Sequence, residues 1–409
     1  GQQPEGMSGV CPGAGREERI PAAFKKDEAG GGEEPDGGFS PWTPDVPGVS
    51  LDVPGALRKA EDGFSKTDRQ NRKDIKPMEE NKKQDASPIM VSISCITFNH
   101  EPYIARALDS FLMQKTDFPF EILVYDDAST DRTQEIIREY EARYPDIIKP
   151  YYQTENQYSK GKYNVEGFYN YPRAAGKYIA MCDGDDYWTD EHKLQMQVDY
   201  METHPECAMC LHAARIETEE RAVQSLKIRP YRKSQVIPAE KVIDKPSNYP
   251  TASLLFRTEY TRDLQDYYYV SPVGDIPIQI HMAAKGTVYY MDREMSVYRQ
   301  GVSVSWSALM KQGNYKQNLI DHHNAMKVMY RGFSKETGGK YDRAIERACR
   351  RMDFLTHINV KEYKEALAPG YRSFFKELPL RTRMLILFEM KTPGLYRWVR
   401  RKVYGEDRS

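Results

Sequence analysis

Two apolar runs of strand length each end in a knot of carboxylates, and this repeated pattern constrains the fold more than any other feature. Phe120-Glu121-Ile122-Leu123-Val124-Tyr125 leads into Asp126-Asp127-Ala128-Ser129-Thr130-Asp131. Lys177-Tyr178-Ile179-Ala180-Met181-Cys182 leads into Asp183-Gly184-Asp185-Asp186-Tyr187-Trp188. Three carboxylates within four residues repel one another unless positive charge sits among them. A hard divalent cation such as Mg²⁺ or Mn²⁺ takes oxygen ligands and bridges to substrate phosphates. Gly184 lets the backbone turn tightly and approach a ligand closely. The stretch therefore reads as a metal–diphosphate site at the carboxyl edge of a sheet, where open α/β folds bind ligands. A solvated acidic turn is the alternative for a lone Asp-Gly-Asp.

The rest of the chain supplies the strands and helices such an edge needs. Ile89 to Thr97 reads as a buried strand, and Glu101 to Lys115 follows with Ile104, Leu108, Phe111 and Leu112 at helical spacing. After Phe120–Tyr125, the Ser/Thr/Asp cluster caps a helix with Ile136, Ile137 and Tyr140 inward. Ile147 to Tyr152 is a third strand, and a polar, Tyr-rich loop and helix lead to the strand before Asp183. Beyond it come a helix from Glu191 to Thr203 (Leu194, Val198 and Met201 inward) and a strand from Cys207 to Ile216. Gly274-Asp275-Ile276-Pro277-Ile278 opens a helix to Lys285, and Thr287–Met291 and Met295–Tyr298 read as two short strands. Strands alternating with helices predict an α/β fold with a mostly parallel central sheet and right-handed crossovers.

Residues 1–88 lack apolar periodicity, carry runs such as Gly30-Gly31-Gly32, and read as a disordered tail. The chain begins with Gly. A natural start at Met78 or Met90 would leave a compact protein, so part of this tail reads as added upstream sequence. Residues 89–308 form the expected catalytic domain, and 309–409 a helical, basic C-terminal extension. With 59 Lys+Arg against 60 Asp+Glu, nothing argues for nucleic acid as a partner. The six sparse cysteines read as reduced core residues of a cytosolic protein, and Cys207-Ala-Met-Cys210 as part of a strand. No GxGxxG or GxxxxGK[ST] occurs, which argues against a dinucleotide fold or a P-loop.

Five motifs in order resemble family 2 glycosyltransferases of the GT-A fold, over about Ile89 to Trp306. They are Thr97-Phe98-Asn99-His100-Glu101, the Asp126–Asp131 run, Asp183–Trp188 with Lys193-Leu194 after it, Gly274-Asp275, and Val297-Tyr298-Arg299 with Trp306. The resemblance implies an inverting transfer from a nucleotide-diphosphate sugar, with a UDP-sugar the leading donor, to an acceptor hydroxyl on a glycan or lipid-linked acceptor. The product would belong to bacterial surface polysaccharide or glycoconjugate synthesis. It further implies that Phe98 and Glu101 lie against the nucleotide, that Asp127 hydrogen-bonds the base, and that Asp183 contacts the ribose or the metal's water. Asp185 would coordinate Mn²⁺ or Mg²⁺, Asp275 would be the catalytic base, Arg299 would pair with diphosphate, and Trp306 would shape the acceptor side.

Asp126 and Asp186 are assigned strand-end and capping roles, and His281, His322 and His323 read as ordinary helix residues. Gln300 departs from the resemblance, because a His commonly follows the Tyr-Arg pair there. Two other readings stand beside this one: a non-catalytic sugar-nucleotide or glycan-binding protein, and a sugar nucleotidyltransferase. The latter would want a Gly-rich basic loop where this chain has Thr-Phe-Asn-His-Glu.

No apolar run reaches the ~18 residues needed to cross a bilayer. The expected location is cytoplasmic. The tail from about 380 to 403 mixes aromatics with cations, as membrane-surface helices do. We prefer an amphipathic helix packed on the catalytic domain, with peripheral contact to the inner face of the plasma membrane as the alternative.

Overall fold

The uninterrupted Val-Ser-Ile-Ser-Cys-Ile-Thr run makes β1 (Val91–Thr97), buried on both faces as central parallel strands are. In the computed structural model, which describes residues 88–218, 227–302 and 305–404, this strand lies in the interior of the sheet. Residues 1–87, where the disordered tail is expected, lie outside the described residues.

Parallel neighbours need crossovers, and helices supply them. α1 (Ile104–Leu112) leads to β2 (Phe120–Asp126), and α2 (Thr133–Arg143) leads to β3 (Ile148–Tyr152). A π-helical turn, Glu166–Asn170, precedes β4 (Tyr178–Met181), which ends at the second acidic cluster. The chain continues through β5 (Tyr187–Trp188), α3 (Lys193–Thr203), β6 (Cys207–Thr218), β7 (Lys227–Ile228), β8 (Gln235–Ile237) and α4 (Ala239–Asp244). β9 (Leu255–Arg257), α5 (Asp275–Lys285), β10 (Thr287–Gln300), α6 (Tyr315–Glu336) and α7 (Asp342–Asn359) follow. α8 (Leu380–Lys391) and α9 (Pro393–Tyr404) close the described chain.

The strands order as β3-β2-β1-β4-β9-β6-β10-β5, with β7 beside β6 and β8 beside β10. The long ladders, β1–β2, β2–β3 and β6–β10, are parallel, as is β1–β4. The antiparallel ladders, including β9 against β4 and β6, are short. From β1 the chain moves to β2 on one side and later to β4 on the other. The connections after β1 and β4 therefore diverge and leave a crevice at their carboxyl ends.

One expectation is corrected. Thr287–Met291 and Met295–Tyr298 are not separate strands but parts of continuous β10. Asp292-Arg293-Glu294 breaks the apolar pattern because the ladder to β6 slips there, between Met291 and Glu294 and again before Ser296. A bulge interrupts side-chain alternation without ending the strand.

Helices cover both faces, giving three layers. Ile104, Leu108, Phe111, Ile137, Tyr140, Leu194, Val198 and Met201 pack with Val91, Ile93 and Cys95 on one face. On the other, Ile278 and Met282 of α5 share a core with Ile179, Met181 and Met209. Met326, Met329, Tyr330 and Phe333 of α6 and Ala344, Ile345 and Ala348 of α7 join this second core. α8 and α9 behave differently: Ile386 is buried, but Leu380, Met384, Leu385, Leu395 and Trp398 are exposed. The preferred reading of this segment, an amphipathic helix with its apolar face packed on the catalytic domain, is thus corrected for these side chains.

Candidate functional site

The loops after β1 and β2 are laced into one unit. Asn99 sits in the left-handed region (φ 54), which Asn tolerates better than most residues, and so does Ala128 (φ 62). Asn99 N–H donates to Ser129 Oγ at 2.9 Å, and Thr130 N–H donates to Asn99 Oδ1 at 2.7 Å. Glu101 N–H donates to Asp131 Oδ2 at 3.0 Å, and Arg132 N–H to Glu101 Oε2 at 3.2 Å. Asp126 accepts from Ser129 N–H (3.0 Å), Ser129 Oγ (2.5 Å) and Gln134 Nε2 (2.6 Å), which is a strand-end role. Asp131 accepts from Thr133 N–H at 2.9 Å beside the start of α2. Phe98 is partly exposed in the bend between β1 and α1.

Asp127 is nearly buried and already engaged. Its Oδ1 accepts from Tyr125 Oη (2.9 Å) and Gln157 N–H (2.8 Å), and its Oδ2 from Tyr158 N–H (2.9 Å). A donor base meeting Asp127 has only the remaining lone pairs of these oxygens. The same bonds draw residues 157 and 158 over the β2 end of the crevice.

The acidic loop after β4 meets the β1 loop at Gly184. Gly184 is not among the residues with positive φ. What it lacks is a Cβ, which would meet Thr97 Cβ and Oγ1 at 2.9 Å and His100 Nδ1 at 3.0 Å. Close packing, rather than a special turn, requires glycine here. Gly184→Ala is expected to cost about 1–3 kcal/mol by overpacking, read as a fall in melting temperature; an unchanged Tm would mean that the two loops part freely.

Asp186 is buried, and its Oδ1 accepts from Arg299 N–H at 2.8 Å, tying the loop to the end of β10. Burial raises the Asp186 carboxyl well above the usual range; Asp185 adds to this and Arg299 opposes it. The Arg299 guanidinium donates to the Asp185 carbonyl at 2.5 Å and lies 4.6 Å from the Tyr187 ring centroid and 5.2 Å from that of Tyr103. Arg299 thus grips the back of the acidic loop. Lys193, which the sequence reading left without a role, is fully buried with Nζ 4.0 Å from the Trp188 ring centroid and 2.8 Å from Gln197 Oε1. Burial pulls its pKa down to about 7.

Asp275 is the first residue of α5, and its carboxylate accepts from Ile276 N–H at 2.8 Å and Thr251 Oγ1 at 3.3 Å. The field of the helix N-terminus favours its charge. Burial outweighs this and pushes its pKa up.

Glu166 went unnoticed in the sequence. The π-helical turn carries it inward, where its carboxyl oxygens stand 2.9 Å from the place a Gly274 Cβ would occupy. Its Oε2 is buried without a partner, and burial pushes its pKa up to about 7. Asn170, at the other end of the turn, pins it to the sheet through Ser94 Oγ (3.0 Å) and Leu123 O (3.2 Å). A short polar segment lacks the periodicity that marks a buried turn. The only hint in the sequence is the pair Glu166 and Asn170, spaced as neighbours on a helix.

Asp183 lies in the field of Asp185, Glu166, Asp186 and Asp275, and burial above all, then these charges, raises its pKa. The structure therefore brings Asp183, Asp275 and the unexpected Glu166 into one recess, with Asp185 beside it and Arg299 behind. Phe98, Glu101 and Asp127 line the β1–β2 side. Trp306 opens a short helix (Trp306–Leu309), and its side chain lies outside the described residues.

Among the described residues, no group of three or more His, Cys, Asp or Glu is placed to hold a metal ion. The residues nevertheless fit an ion held chiefly by its substrate. Mg²⁺-type sites use one or two carboxylates plus substrate phosphates. Here carboxylates are crowded and under-compensated, with Glu166 Oε2 and His100 Nδ1 buried and unpartnered.

A mostly parallel sheet between helix layers, with acidic loops at its switch point and a carboxylate opening a facing helix, defines the GT-A class of α/β fold. Residues 92–262 match the glycosyl transferase family 2 model, and this segment is a family 2 glycosyltransferase domain. An uncharacterized protein of Mycobacterium tuberculosis is 34% identical over 220 residues, which is 53% of this chain and 60% of that protein. An uncharacterized glycosyltransferase of Nostoc is 29% identical over 186 residues (45% of this chain, 54% of that one). The Escherichia coli UDP-Glc:α-D-GlcNAc-diphosphoundecaprenol β-1,3-glucosyltransferase is 35% identical over 114 residues (28% and 42%). The chain thus spans 60% or less of the length of these relatives. In fold it resembles Staphylococcus aureus TarS 1–349, solved with UDP-GlcNAc, at a TM-score of 0.50 and 17% identity over 78% of this chain and 93% of that one.

Proposed function

We propose that this chain is an inverting glycosyltransferase moving a sugar from a nucleotide-diphosphate donor to an acceptor hydroxyl. The observation that carries this reading is Asp275: a carboxylate at the first turn of α5, tethered by Ile276 and Thr251, in the recess that Asp183 shares. A carboxylate made more basic by burial is suited to take a proton.

In the proposed step Asp275 takes the acceptor hydroxyl proton as that oxygen attacks the anomeric carbon. The carbon–oxygen bond to diphosphate breaks on the opposite face, and the configuration inverts. Asp185, helped by Asp183, would hold Mn²⁺ or Mg²⁺ there, and the ion would offset charge developing on the leaving diphosphate. Arg299 fixes the carbonyl of Asp185 and so holds the ligand loop in place. Phe98, Glu101 and Asp127 would receive the nucleoside, and Trp306 would face the acceptor.

The E. coli relative uses UDP-Glc and a lipid-diphosphate-linked acceptor, which supports a UDP-sugar donor and a glycan or lipid-linked acceptor in surface polysaccharide synthesis. Four buried, unpaired cysteines support a reducing, cytoplasmic setting.

The reading is tested by a thermal-shift panel of UDP-, GDP-, dTDP- and CMP-sugars, with and without Mn²⁺, on wild type and Asp185→Ala. Ligand at a hundred times its Kd adds about 2.7 kcal/mol to stability. We expect a metal-dependent rise in Tm with one donor class and none in the variant. No shift with any nucleotide, from a folded sample, sinks the proposal.

A further inference from the structure

Among the described residues, five of the nine large apolar side chains left exposed lie on the two terminal helices. Leu380, Met384, Leu385, Leu395 and Trp398 are 64%, 62%, 45%, 50% and 58% exposed, at full-length hydrophobic residues that a free surface rarely gathers. Leu380, Met384 and Phe388 recur every fourth residue and line a shallow groove with Arg381 and Leu385. α8 and α9 pack on each other as a hairpin, with the Phe388 and Tyr396 rings edge to face at 5.8 Å.

The charge of the hairpin is one-sided. Leu380 to Tyr404 holds seven Lys/Arg and one acid, Glu389, in a chain whose net charge is −1. Glu389 is not available to balance the outer surface. It accepts from Tyr363 Oη at 2.7 Å and pairs with Lys361 Nζ at 3.1 Å, which fastens the hairpin to the body of the protein. Arg381, Lys391, Arg397 and Lys402 are exposed. A second copy of the same surface would bring like charges together. A surface of negative headgroups over an apolar interior matches both the cations and the apolar side chains, with Trp398 suited to the boundary. No helix among the described residues is long and apolar enough to cross a membrane, so the contact lies on the surface.

We infer that the α8–α9 hairpin docks this protein on a bilayer carrying anionic lipid, with Leu380, Met384, Leu385, Leu395 and Trp398 entering the headgroup region and the surrounding Arg and Lys meeting phosphate. The inference stands on the exposed hairpin alone and is independent of the proposed sugar transfer.

The test is co-sedimentation of the full chain with vesicles of phosphatidylcholine alone and of phosphatidylcholine mixed with phosphatidylglycerol. Partitioning into the mixed vesicles is expected to exceed that into neutral ones by about tenfold or more and to collapse at high salt. Arg381→Gln with Arg397→Gln should lower it about 25-fold, at about fivefold per cation. Leu385→Glu with Trp398→Glu should abolish it, and since all four side chains are exposed these variants keep the wild-type Tm. Absence of wild-type binding to the mixed vesicles overturns the inference, as does equal binding to both vesicle types. So does a dimer, seen by analytical ultracentrifugation, that the Leu385→Glu/Trp398→Glu variant dissolves without any vesicle binding by the wild type.

Discussion

Asp275→Asn should lower the turnover number by about 10²–10⁴-fold, the usual contribution of a positioned general base, while leaving donor affinity within about twofold of wild type. Asparagine keeps one oxygen to accept from Ile276 N–H, and its amide nitrogen replaces the oxygen that accepted from Thr251 Oγ1 and can donate to that hydroxyl instead, so the first turn of α5 survives the change. What is lost is the capacity to take a proton. Burial raises the pKa of Asp275, so the wild-type rate should fall on the acid side at a pH above the ordinary carboxylate range. The variant should lack that limb. Steady-state kinetics across pH decide the matter: near-wild-type turnover in the variant, or a limb that persists, would assign the base elsewhere.

The second large effect concerns stability and centres on Glu166. Its pKa is raised from 4.5 to about 7, mainly by burial, with Asp275 adding to the shift. A raised carboxyl pKa means that the fold prefers the neutral acid. That preference is fully present below about 4.5 and is lost as pH climbs through about 7. The shift corresponds to about 3 kcal/mol, which wild type loses over this window and Glu166→Gln, a neutral isostere, does not. Denaturant melts of both proteins at about pH 5 and about pH 8 should therefore show the variant overtaking wild type as pH rises. Parallel profiles would mean that Glu166 is already charged in the fold and compensated by a group not identified above. Asp183 shifts in the same direction from burial, so the nucleotide-free protein as a whole should be more stable in mild acid.

The positions of the two acidic clusters were legible because they depend on local patterning. A buried parallel strand must be continuously apolar, and its carboxyl end must return to solvent; both are visible in a short window. The inward positions of α1, α2 and α3 were legible for the same reason, since helical spacing alone selects Ile104, Leu108, Phe111, Ile137, Tyr140, Leu194, Val198 and Met201. The bulge in β10 was not, because a slip of register depends on the partner strand β6.

At the site, Gly184 lies in the tight turn expected of it, but what requires glycine there is a contact with the β1 loop. Its constraint comes from Thr97 and His100, some 80 residues away in the chain. Glu166 carries no motif, and only the packing of the π-helical turn beneath Gly274 places its carboxyl beside the proposed base. The resemblance gives Asp127 a bond to the base, yet residues 157 and 158 fold back onto it and already donate to its carboxylate.

By itself, the sequence determined the α/β class, the strands that end in acid, and the family whose motifs those ends carry. Apolar periodicity and turn chemistry act between near neighbours and need no knowledge of the rest of the chain. The tertiary structure alone decided which carboxylates share one recess, which are already bonded, and which apolar side chains of the terminal hairpin remain uncovered. Burial, and the field of one charge on another, depend on what lies a few ångströms away in space, which separation along the chain does not specify.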